Sequence, residues 1–90
     1  QWQTSAGLVT VQAEYLMQDG IPKVRVTAHL PRGGSLTLRT LQASASSERI
    51  YPGYLSVESF DLVPNQTYPL EIRFHDSEQT PLVFAICPTR

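Results

Sequence analysis

Apolar and polar residues alternate along most of this chain. From Leu8 to Tyr15, Val9, Val11, Ala13 and Tyr15 share one parity, while Thr10, Gln12 and Glu14 share the other. A period of two is the mark of a half-buried β-strand. From Lys23 to Leu30 the alternation is cleaner, with Val24, Val26, Ala28 and Leu30 inward and Lys23, Arg25, Thr27 and His29 outward. Between them, Gln18-Asp19-Gly20 carries the Asp-Gly pair of a tight hairpin, so these two strands are predicted to be antiparallel neighbours.

Further on, Pro31-Arg32-Gly33-Gly34 predicts a turn, and Ser35 to Leu41 a strand with Leu36 and Leu38 on the core side. Leu41 falls on the outward parity and has no assigned place. Gln42 to Arg49 is rich in Ala and Ser, and with Ile50-Tyr51-Pro52-Gly53 it predicts a poorly regular edge strand. Tyr54 to Leu62 alternates through Leu55 and Val57, but Phe60 and Leu62 continue on the opposite parity. A β-bulge near Glu58-Ser59 would return both to the core. Leu70, Ile72 and Phe74 then point inward, Asp76-Ser77-Glu78-Gln79-Thr80-Pro81 forms a polar turn, and Leu82 to Cys87 is a last apolar strand ended by Pro88. No segment shows a sustained 3.6 period, so the chain is read as all-β, with seven strands separated by turn signals every 8 to 12 residues or so.

The stretch Leu62-Val63-Pro64-Asn65-Gln66-Thr67-Tyr68 lies between two such strands. Leu62, Pro64 and Tyr68 match a Leu-x-Pro-x-x-x-Tyr pattern that resembles the tyrosine corner of fibronectin type III and related immunoglobulin-like domains. The resemblance implies a single seven-stranded antiparallel immunoglobulin-like sandwich over residues 1–90, with the Tyr68 hydroxyl bonded to backbone a few residues upstream. Tyr54-Leu55-Ser56 with Phe60-Asp61-Leu62-Val63-Pro64 also looks like the terminal sandwich of family 2 glycoside hydrolases. In size, strand count and lack of a helix, the layout resembles the small periplasmic chaperones of curli assembly.

Ninety residues suffice for one modest core. The net charge of −1, with Lys and Arg scattered singly, gives no basic stripe for phosphates, so nucleic acid is excluded as an expected partner. No apolar run approaches the ~20 residues of a membrane span. A start at Gln1 without methionine fits either a mature form after signal cleavage or a fragment. One cysteine, Cys87, forms no internal bridge and is read as a small buried hydrophobe. The absence of a disulfide framework points towards a bacterial envelope setting. Asn65-Gln66-Thr67 is an acceptor sequence for N-glycosylation and equally a set of turn residues.

Chemistry has few candidates. His29 and His75 both fall on outward positions and are read as solvated surface histidines on opposite outer faces. Asp76 and Glu78 offer too few oxygen ligands for a calcium loop. No catalytic carboxylate pair, metal spacing, phosphate loop or nucleophile elbow is present, so neither enzyme chemistry nor a cofactor or metal is expected. Tyr15, Phe60, Phe74 and Phe84 take core parity, which leaves Trp2, Tyr51 and Tyr54 as candidate binding aromatics for a glycan or an extended peptide. The expected function is a non-catalytic secreted or periplasmic interaction module, with chaperoning or fibre assembly through exposed strand edges as its concrete form. The alternatives are a filament subunit that donates strands and a carbohydrate-contacting accessory sandwich of a carbohydrate-active enzyme.

Overall fold

The computed structural model describes residues 2–4, 7–40, 44–60, 62–75 and 81–87. Eight strands run in chain order: β1 (Trp2–Thr4), β2 (Gly7–Gln18), β3 (Ile21–Leu30), β4 (Gly34–Arg39), β5 (Ser44–Arg49), β6 (Gly53–Ser59), β7 (Tyr68–Phe74) and β8 (Leu82–Ile86). They form two antiparallel four-stranded sheets, ordered β1-β2-β3-β6 and β5-β4-β7-β8. The described residues contain no helix.

The β2–β3 hairpin shows how sequence sets register. Gln18 pairs with Ile21, which leaves Asp19-Gly20 as a two-residue loop. Both loop residues have positive φ, 52° and 79°, as the tight turn matched to strand twist demands. The register then places Val24, Val26, Ala28 and Leu30 on one face of β3, where all four are buried. Leu36, Leu38, Leu70 and Ile72 meet them from the second sheet, completing one core shared by both sheets. Burying each of the Val, Leu and Ile side chains among them contributes about 1.5–3 kcal/mol.

Four sequence expectations are corrected. The short β1 makes eight described strands where the alternation predicts seven, because a three-residue segment carries no periodic signal. The β3–β6 ladder runs without interruption from Leu30↔Gly53 to Val24↔Ser59, so no bulge forms at Glu58-Ser59. Instead the strand ends at Ser59, which takes the next core position, and Phe60 is 58% exposed. Leu62 reaches the core from outside the strand, where parity no longer governs. β5 is regular, pairing with β4 at six positions from Ser44 to Arg49, because even an Ala/Ser-rich segment can hydrogen-bond its backbone along an existing strand. Cys87 is exposed, since it lies just past the end of β8. Leu41, Gln42 and the Asp76–Thr80 part of the last turn, with Pro88, lie outside the described residues.

Between β6 and β7 the backbone turns at Pro64-Asn65, with Asn65 at φ 68° and Gln66 N–H donating to Val63 O at 3.3 Å. Tyr68 is buried, and its hydroxyl accepts a hydrogen bond from Val63 N–H at 2.8 Å. Leu62 belongs to the same core, and Pro64 is half-buried.

Candidate functional site

Tyr51 and Tyr54 stand where the sequence pattern places them, at the β5–β6 connection, and are 71% and 68% exposed. Ile50, also exposed, adjoins them in the chain. The connection is braced from below by Arg49, whose Nε donates to Tyr51 O at 2.8 Å and whose Nη1 donates to Tyr54 O at 3.1 Å. Arg49 thereby ties down one carbonyl in the connection and one at the start of β6. The third candidate aromatic, Trp2, lies in β1 opposite Val9, and its side chain falls outside the described part. The three are not shown to form one patch.

A residue that parity alone marks as merely solvated joins Tyr54 instead. His29 on β3 is the cross-strand partner of Tyr54 on β6, and their rings meet edge-to-face with centroids 4.7 Å apart. Thr10 on β2 continues the same row, so the outer face of this sheet presents Thr10, His29 and Tyr54 side by side. Only the register of two strands far apart in sequence reveals this. His75 stands apart after β7, in the other sheet, with Nε2 3.3 Å from Glu48 Oε2.

Charges on the outer faces form short networks. Lys23 Nζ lies 2.6 Å from Glu58 Oε2, Arg25 Nη2 lies 3.5 Å from the same oxygen, and Lys23 also donates to Gln18 Oε1 at 2.7 Å. The Lys23 hydrogen bond, then the charges of Lys23 and Arg25, hold the Glu58 carboxyl below its ordinary range, against the opposing effect of desolvation. Phe60 lies beside this group, its ring centroid 5.9 Å from Lys23 Nζ, at the outer limit of a cation–π contact. On the second sheet, Glu71 accepts from Arg73 at 2.6 Å and Arg39 at 3.4 Å, and the Arg73 bond is the main cause of its lowered pKa. Lys23 and Glu71 are largely covered while their partners reach solvent, and ion pairs open to solvent on one side add little to stability.

No protein-family model, curated protein or solved structure matches this chain. Its surfaces are then the guide to function. Among the described residues no group of His, Cys, Asp and Glu is arranged to hold a metal ion, and no helix is long and apolar enough to cross a membrane. The surface does offer strand edges. β5, β6 and β8 each border a sheet, and β1 covers only the first three residues of the twelve-residue β2.

Proposed function

We propose that this chain is a non-catalytic, extracytoplasmic interaction module of immunoglobulin-like, fibronectin type III-like build, which binds protein partners through its open strand edges. The observation that carries the proposal is the incomplete cover of β2, beyond Val9, on the side away from β3. An uncovered edge carries backbone N–H and C=O groups that an extended chain can satisfy. For the fold, two features support the reading. The second and sixth of the seven long strands, β3 and β7, lie in different sheets, as in the fibronectin layout. The Val63–Tyr68 hydrogen bond has the form of a tyrosine corner. A chaperone or assembly factor for extracellular fibres is the concrete version of this function.

A second reading, a carbohydrate-contacting sandwich, is favoured by the exposed Tyr54 ring standing against His29. Selection of binders from a displayed library of random extended peptides separates the two. The edge reading predicts bound peptides that slow amide exchange along a border strand. Peptides that protect only the Ile50–Tyr54 region, or glycan binding abolished by Tyr54→Ala, would overturn it in favour of the aromatic patch.

A further inference from the structure

Nine residues of β2, Thr10 to Gln18, are laddered to β3 on one side. Among the described residues, no strand runs along their other side. Beside this open stretch the two sheets part, and a cleft of about 200 Å³ lies between β2 and the end of β8. Ala13, Glu14, Tyr15 and Val24 line it from one sheet, Ala85, Ile86 and Cys87 from the other. The Tyr15 hydroxyl is buried without a hydrogen-bond partner.

Charge narrows the occupant. Glu58, Arg25 and Glu14 form one cross-strand row over β6, β3 and β2, alternating negative, positive, negative. Arg25 is engaged with Glu58, and Glu14 has no ion-pair partner among the described residues. A cation on the next strand would continue the alternation, and opposite charges directly across a ladder are favourable. A second copy fits less well. Antiparallel pairing of Thr10–Gln18 with itself centres on Glu14 and sets two like charges face to face.

We propose that the open edge of β2 receives an extended strand from a partner protein, continuing the line of β1, with a basic residue opposite Glu14 and apolar side chains opposite Ala13 and Tyr15 closing the cleft. This rests on the edge-binding reading above and names both the edge and the chemistry of its partner. Strand addition supplies affinity through the backbone, and the alternate side chains supply selectivity.

The test titrates isotope-labelled protein with the peptide acetyl-Thr-Val-Thr-Val-Lys-Val-Thr-Val-Thr-amide and with its counterpart bearing Glu in place of Lys. The expected result is amide shifts at Thr10–Gln18 and Ala85–Cys87, with the Lys peptide binding about five-fold tighter. Glu14→Lys, at an exposed position, should reverse that preference. Equal affinities, or a preference that Glu14→Lys does not reverse, would overturn the basic partner. Shifts confined to β5, β6 or the outer side of β8 would overturn this edge but leave edge recognition standing. Silence of every edge towards both peptides would overturn both readings. Shifts at Thr10–Gln18 that grow with protein concentration alone would overturn the proposal in favour of a second copy.

Discussion

Val63 N–H donates a hydrogen bond of 2.8 Å to the hydroxyl of Tyr68, five residues further along the chain. The bond closes the loop between β6 and β7 at the point where the backbone passes from one sheet to the other. Tyr68→Phe keeps the packed ring and leaves the Val63 N–H without its acceptor. The expected cost is about 1–3 kcal/mol in urea unfolding, with an unchanged m-value. A Tyr68→Phe variant as stable as the parent would mean that the bond does not hold the crossing.

Two glycines should respond differently to alanine. Gly20 has φ 79° and open space where a Cβ would go, so Gly20→Ala should cost only the conformational penalty, about 1 kcal/mol. At Gly34 an added Cβ would collide with the Arg73 carbonyl across the β4–β7 ladder. Gly34→Ala should therefore cost more, about 2–3 kcal/mol or above. Thermal unfolding of both variants gives the order, and equal costs would contradict the register assigned to β4 and β7.

Phe60 and Leu70 offer a matched comparison. Leu70 is fully buried and Phe60 is 58% exposed. Leu70→Ala should cost about 2–5 kcal/mol, whereas Phe60→Ala, despite deleting a larger side chain, should cost under about 1 kcal/mol. Denaturant midpoints decide it. A large loss at Phe60 would restore the bulged strand that the alternation suggested.

Acid should weaken the fold from a definable point. Glu58 and Glu71 have folded pKa values depressed below 4.5 by their Lys and Arg partners. Their stabilising contribution is thus complete above the unfolded value near 4.5 and is lost as pH falls through the lower folded values. Midpoints measured from about pH 7 to about pH 3 should stay level for these groups down to about 5 and then fall. Glu58→Gln should shallow the fall, and so should about 0.5 M salt. A decline that the substitution leaves untouched would place its cause elsewhere.

Much of the architecture could be read from the chain because period-two alternation and turn chemistry are local. The β2–β3 hairpin follows from Val24-x-Val26-x-Ala28-x-Leu30 and one Asp-Gly pair. Phe60 defeats the same reasoning, because parity assigns a face only while the strand continues, and β6 stops at Ser59. β5 reads as irregular because Ala and Ser carry no periodic signal, although backbone pairing with β4 needs none. Within the candidate surface, exposed Tyr51 and Tyr54 are legible from their place beside Pro52-Gly53. The His29–Tyr54 contact and the Arg49 brace are not, since each depends on distances set by cross-strand register or by a folded turn.

Amide hydrogen exchange along β2 tests the central claim, an edge left open for a partner, most directly. In the free protein, amides of Thr10–Gln18 that point towards β3 should exchange slowly, and those that point away should exchange rapidly, giving alternating protection. Uniformly slow exchange across all nine positions would mean that this side of β2 is already covered, and would contradict the account.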